Sequence, residues 1–150
     1  MQWKPNVTVA AIIERSGKFL LVEEIADGNT VLNQPAGHLD AGESLTAAVA
    51  REVTEETGWE FQPDYLVGVY FYTQATSGIT YLRFCFAGRL QKQVHARPPD
   101  AAILRNLWMT RTEIVQQSHR LRSPLVVRCI DDHAAGRRYP LHLIYHHGLS

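Results

Sequence analysis

Between Gly37 and Trp59 the chain reads GHLDAGESLTAAVAREVTEETGW, and Glu52, Glu55 and Glu56 fall within one short stretch of it. In a helix, with roughly 100° between successive residues, these side chains share a face one turn apart, so their carboxylates meet or repel. Like charges at this spacing disfavour an isolated helix by about a few tenths of a kcal/mol per pair, a cost that vanishes when a divalent cation sits between them. The helix can be argued from its ends. Ser44 stands where a hydroxyl can cap the first turn, and Gly58 follows the last periodic residue, where a left-handed termination suits glycine. Leu45, Ala48, Val49 and Val53 form the apolar stripe that faces a core. Glu52 and Glu56 project beside or within that stripe, the wrong place for charges meant only for water, which predicts that they line a cleft at the core's edge. Arg51 lies further round and has Glu43 upstream, so an Arg51–Glu43 ion pair could tie the loop Gly37 to Gly42 to the helix as a structural brace.

Position by position, Gly37, Glu43, Arg51, Glu52, Val53, Glu55, Glu56 and Gly58 match the pattern GX5EX7REUXEEXGU, and the segment therefore resembles the Nudix box. Trp59 stands where that pattern has an aliphatic residue, a difference that bears on packing after the helix more than on chemistry. The resemblance implies a Nudix fold, with Glu52, Glu55, Glu56 and the backbone carbonyl of Gly37 as ligands of Mg2+ or Mn2+, and Glu43 as the partner of Arg51. Beyond the box, KPNVTVA, NQPAGHLDAGESL, YLRFCFA, LRSPLV and RRYPL resemble a bacterial phosphatase branch of the family. That likeness implies hydrolysis of nucleoside di- and triphosphates with release of orthophosphate, and of hydroxymethylpyrimidine pyrophosphate and thiamine pyrophosphate.

Composition narrows the field independently. A chain of 150 residues with 45% hydrophobic content is long enough for one domain with a real core and too short for two ordinary ones, so residues 1–150 are expected to form a single domain. Formal net charge is zero, which leaves no overall basic field to gather duplex nucleic acid. The apolar run Val7 to Ile13 is far below membrane-spanning length and lacks the features of a secretory signal, which points to a cytoplasmic protein without membrane contact. Cys85 and Cys129 have no CxxC spacing and sit in apolar surroundings, as reduced core residues do.

A walk along the chain predicts strands over Val7 to Glu14 and Lys18 to Glu24 around a Ser16–Gly17 turn, then a rigid approach Gln34 to Gly37. Strands over Tyr65 to Thr73 and Ile79 to Ala87 flank a turn at Thr76 to Gly78 and are expected to pair antiparallel. Pro98 and Pro99 mark a loop, Ile103 to Met109 a strand, and Thr112 to Ser118 a short helix. Ser123 and Pro124 open a long helix to about Ala135, with Gly136 behind it, and Leu141 to Tyr145 reads as a last strand or extended tail. The order fits an α/β fold in which a mixed β-sheet is sandwiched between helices (α/β/α), as in the Nudix fold.

A pyrophosphate link is inert because its anionic oxygens repel a nucleophile, so an enzyme must neutralise that charge and place a water in line. Carboxylates holding divalent metal can do both, and Glu55 or Glu52 could also take the water's proton. In many family members a later acid does this; Asp100 and then Glu113 are the candidates, with Ala101 and Ala102 beside them. Arg83 either points into the cleft to hold phosphate or faces solvent from its strand. Among Trp3, Tyr70, Phe71 and Tyr72, one aromatic, with Tyr72 preferred, is expected to touch the ligand's ring and the rest to be core. Arg137 and Arg138 read as surface charge, His142, His146 and His147 as an exposed tail, and His38 as an open position of the box. The expected partner is a small phosphorylated molecule, and the protein a monomer or homodimer. Alternatives are a pyrophosphohydrolase of ADP-ribose, a dinucleoside polyphosphate or a capped RNA end, and a non-catalytic nucleotide-binding module. A module of that kind would be expected to have lost one of the three glutamates, and none is lost.

Overall fold

The near-unbroken apolar run of the first strand, VTVAAI, can be stable only if both of its faces are covered. The computed structural model, which describes residues 1–149, covers both. Strand β1 (Asn6–Ile12) lies at the middle of a four-stranded sheet between β5 (Ala36–His38) and β7 (Thr80–Gln93), with β6 (Trp59–Thr73) at the edge. It runs parallel to β7 and antiparallel to β5, and β6 and β7 are antiparallel, so the sheet is mixed. Val9 and Ala11 pack with Val49 and Val53 of helix α1 (Leu45–Thr57) on one face; Ala10 and Ile12 pack with Val126, Cys129 and Ile130 of helix α3 (Leu125–Ala134) on the other. This is the expected sandwich.

A second sheet was not foreseen. β2 (Glu14–Arg15), β3 (Lys18–Ala26), β4 (Asn29–Asn33) and β8 (Ile103–Met109) form it, with β3 between β4 and β8. The expected strand Val7 to Glu14 is broken at Ile13: its first part belongs to one sheet and its end, through the left-handed Ser16 and Gly17, to the hairpin of the other. A like turn at Asp27 and Gly28, both at positive φ, makes the hairpin into β4; the Asp-Gly pair is its sequence signal. The two strands expected around Thr76 to Gly78 do pair antiparallel, and both run longer, β6 absorbing Pro63 at a register shift.

The helix ends follow local chemistry. Ser44 Oγ accepts from the Ala47 N–H and Gly58 closes α1 at φ 82°, as the caps predict. Helix α2 (Arg111–Gln116) starts before the expected Thr112 because Thr110 caps it, with Glu113 returning a bond to the Thr110 N–H. Ser123 Oγ accepts from Leu125 N at 3.2 Å at the start of α3. Leu141–Leu143 is a tight turn instead of a strand, anchored where Tyr139 bridges Leu66. No helix of the described residues is long and apolar enough to cross a membrane.

Buried Glu23 on β3 joins β8 to the segment after α2: it accepts from Arg105 Nε at 3.0 Å and from Arg120 Nη1 at 2.8 Å. The Arg105 bond first, then the Arg120 bond, hold its carboxyl below the usual glutamate range. A depressed acid pKa contributes stability above the unfolded value that is lost as pH falls through the folded one. E23Q should lower Tm at pH 7 by roughly 2–4 °C, the shift for about 1 kcal/mol in a chain of this length. In thermal melts down to pH 3 the difference from the parent should close as the carboxyl protonates.

Candidate functional site

Helix α1 presents Arg51 and the three glutamates from adjacent turns, and the loop after β5 folds back over them. Arg51 meets Glu43 as a fork, Nε to Oε2 at 3.0 Å and Nη2 to Oε1 at 2.7 Å, while Nη2 also donates to the His38 carbonyl at 2.9 Å. Glu43 in turn accepts from the Asp40 N–H at 2.7 Å. The Arg51 bond is the main cause holding the Glu43 carboxyl below its usual range, so loop and helix are tied by an ionised pair. Arg51 does more than brace the loop, because its Nη1 donates to Glu52 Oε1 at 2.9 Å and to Glu55 Oε2 at 3.2 Å.

A cleft of about 340 Å³ opens beside this helix, and Gly37, Glu24, Glu52, Glu56, Asp100 and Arg83 are among its lining residues. Glu56 is buried, with Oε1 accepting from the Ala36 N–H at 2.8 Å. Burial pushes its carboxyl up to about 9; the Ala36 bond opposes the rise, and Glu24, Glu52 and Asp100 add to it. Burial likewise raises Glu52 against the pull of Arg51, and raises Glu24 against that of Arg122. Three acids of one cleft, Glu24, Glu52 and Glu56, are thus pushed toward their neutral forms, by burial before all else. Glu55 is not among the residues that line the cleft; its side chain is 44% exposed, and its backbone carbonyl accepts from the Asp100 N–H at 3.0 Å.

The donor set suits a hard divalent cation, which takes carboxylate and carbonyl oxygens. The close approach at Gly37 supports this: a Cβ there would lie 2.1 Å from the Glu52 carboxyl carbon, so only glycine lets that carboxylate settle against the backbone of the loop. Among the described residues no three acids already converge on one point at ligand distance, since Arg51 holds Glu52 and Glu55, and Ala36 holds Glu56.

Across the cleft stands Arg83, only 6% exposed, so the solvent-facing alternative is overturned by the packing of β7 against α3. Its Nη1 donates to Gln34 Oε1 at 3.0 Å and toward Cys129 Sγ at 3.9 Å, and its Nη2 to Asn33 Oδ1 at 3.0 Å. Cys129 and Cys85 are free and buried; the Cys85 hydrogen bond first, and Arg83 in addition, draw the Cys129 thiol below its usual range. Tyr72 and its cross-strand partner Tyr81 line the same cleft, and His38 stands at 6.4 Å from the Tyr81 ring. Of the other aromatics, Tyr70 donates to Asp132 at 2.8 Å, while Phe71 and Trp3 are each 65% exposed, against their expected place in the core.

Several candidates lie elsewhere. Glu113 is taken by the cap of α2 and does not line the cleft. Arg137 approaches Asp132 at 3.6 Å and Arg138 lies over Tyr65 at 4.6 Å, neither of them lining the cleft. The tail is not free: His146 Nε2 accepts from the Leu45 N–H at 3.1 Å, at the start of α1. Glu24, Asn33, Arg122 and Ser123 line the cleft without having been singled out as site residues. Glu24 had a signal, the acid pair inside FLLVEEIA, where a strand otherwise this apolar has no use for two charges.

The NUDIX domain family matches residues 3–128. Phosphatase NudJ of Escherichia coli K12 is 44% identical over 142 residues, 95% of this chain and 92% of its own length. A NUDIX hydrolase from Nitrosomonas europaea superposes with a TM-score of 0.93 at 50% identity, covering 96% of this chain and 98% of that one. A UDP-X diphosphatase shares the fold, with a TM-score of 0.75 at 21% identity over 93% of this chain and 68% of its own. A family match across most of the chain, with each charged residue of the box in place on α1 and its loop, makes the protein a member of the Nudix hydrolase family.

Proposed function

We propose that this chain is a cytoplasmic, Mg2+- or Mn2+-dependent phosphatase of nucleoside di- and triphosphates and of hydroxymethylpyrimidine and thiamine pyrophosphates, releasing orthophosphate. The observation that carries the reading is the joining, in one cleft, of Gly37, Glu24, Glu52, Glu56 and Asp100 with the buried guanidinium of Arg83. The 44% identity to a phosphatase over nearly the whole chain supports phosphatase chemistry.

In this reading Glu52, Glu55, Glu56 and the Gly37 carbonyl hold the metal. Bound there, a divalent cation supplies positive charge against the diphosphate oxygens and acidifies a water. Glu55, half exposed and bonded to Arg51, would have to leave that contact to join the set, and Glu56, whose carboxyl is raised by burial first and by Glu24, Glu52 and Asp100 in addition, would hold the ion as its carboxylate. Glu55 or Glu52 takes the water's proton, with Asp100, tied by its N–H to the Glu55 carbonyl, as the further candidate. The water oxygen bonds to phosphorus, the bond from that phosphorus to the bridging oxygen breaks, and the bridging oxygen leaves with the electron pair. Arg83 holds phosphate oxygens and Tyr72 flanks the ring of the substrate.

A release screen with Mg2+ tests the reading: orthophosphate should appear from nucleoside di- and triphosphates and from thiamine pyrophosphate, and none should form in EDTA. Release of AMP from ADP-ribose alone would overturn it. E55Q should lower kcat by roughly 10²–10⁴, the usual worth of a positioned base, while Tm stays within a degree or so because the side chain is half exposed. G37A forces the Glu52 carboxylate aside, and calorimetric titration with Mn2+ should show at least roughly tenfold weaker binding, on the scale of a disturbed ligand shell.

A further inference from the structure

The backbone N–H groups of a helix's first turn have no partner within the helix, and a cap, water or another segment must meet them. In α1 the Ala47 N–H goes to Ser44 Oγ at 3.1 Å. The Leu45 N–H goes instead to a side chain from the far end of the chain, His146 Nε2, at 3.1 Å. A ring nitrogen accepts only through an unprotonated lone pair, so the imidazole carries its proton on Nδ1.

More than this bond brings His146 there. Tyr139 exchanges two backbone bonds with Leu66 of β6, at 2.8 and 2.9 Å. The turn Leu141–Leu143 follows, and the Ile144 N–H closes onto the Leu141 carbonyl at 3.1 Å. Leu141 and Ile144 pack against the apolar cluster that contains Ala48, Val49 and Val53 of α1. Residues 139–146 are thus a strap that leaves the edge strand, rests on the core layer of α1 and ends on the first residue of that helix.

Leu45 closely follows Glu43, whose carboxylate the Arg51 fork holds at 2.7 and 3.0 Å, and Arg51 also touches Glu52 and Glu55. The ends of a helix open more easily than its middle. A first turn that opens draws Glu43, and the loop carrying Gly37, away from Arg51. We infer that His146 is a positioning residue for the metal-binding face of α1. Its bond to Leu45 keeps the first turn closed and acts on the site through Glu43 and Arg51. The residues that set the site therefore extend to the tail, far beyond the box. This rests on the metal-dependent hydrolase reading above.

H146F and H146Q test it as a pair: phenylalanine fills the space of the ring and accepts nothing, whereas the glutamine amide oxygen keeps an acceptor within reach. His146 is only partly buried, so losing the bond leaves the fold standing. In H146F the Leu45 amide should exchange with deuterium roughly fivefold faster than in the parent, the scale of a lost cap. Calorimetric titration with Mn2+, well below the melt, should show binding weaker by roughly fivefold or more, toward the range seen when a group behind a metal ligand is removed. H146Q should restore both readouts to within about twofold of the parent, because the acceptor returns. A cap that serves stability alone would lower Tm and leave the Mn2+ affinity where it was. If H146F binds Mn2+ as the parent does, if its Leu45 amide exchanges no faster, or if H146Q is as impaired as H146F, the assignment is overturned while the hydrolase reading stands. If the parent binds no Mn2+ and turns over no phosphate substrate with Mg2+, the hydrolase reading itself fails, and the assignment falls with it whatever Leu45 does.

Discussion

The guanidinium of Arg51 is the hinge on which the site's geometry turns. By taking Glu43 as a fork and the His38 carbonyl in the same grip, it lays the loop after β5 along helix α1. That places the backbone of Gly37 beside the carboxylate of Glu52, an approach that any Cβ would prevent. The same cation touches Glu52 and Glu55 and so offsets part of the repulsion that three neighbouring carboxylates impose on the helix. Helix, loop and two of the three acids are therefore joined through one cation.

The cleft is built from two kinds of unfinished charge. On one wall, burial and mutual repulsion push Glu24, Glu52 and Glu56 toward their neutral forms; on the other, Arg83 lies buried among neutral acceptors. Left to themselves both walls are costly, and the core under them must supply the difference. Val49, Val53 and Val9 beneath the acids, and Val126, Cys129 and Ile130 behind Arg83, are fully or almost fully buried. A hydrophobic sandwich holds apart charges that would otherwise find each other or water.

Helix α1 was legible to the residue because its information is local: a serine cap, a glycine stop and an apolar stripe at helical spacing. The Arg51–Glu43 brace was legible for the same reason, both partners being near in sequence. Strand β8 was also read at its observed bounds. The second sheet was missed because its strands pair across long separations, β3 with β8, and because β1 and β2 look like one strand until Ile13 turns between sheets. The Leu141 segment has an apolar run that suggests a strand, yet no edge receives it. At the site, the box residues were found and the opposite wall was not, apart from Arg83 and Tyr72. Asn33, Arg122 and Ser123 lie in segments that carry the family resemblance, but nothing local assigns them to the cleft, and only tertiary packing gathers them.

Strand parity gives the cleft its limits of change. Arg83 pairs with Thr8 on β1 and with Tyr70 on β6, and its neighbour Phe84 belongs to the layer packed against α1. Since side chains alternate across a sheet, inserting or deleting one residue inside β7 would carry the arginine under the helix and hang a phenylalanine in the cleft. The turn Gln74 to Ile79, held by its own bonds and outside that alternation, is free of this constraint. Length variation among descendants of this chain should therefore gather in that turn, with the strand count between it and Arg83 kept even or odd as it now stands.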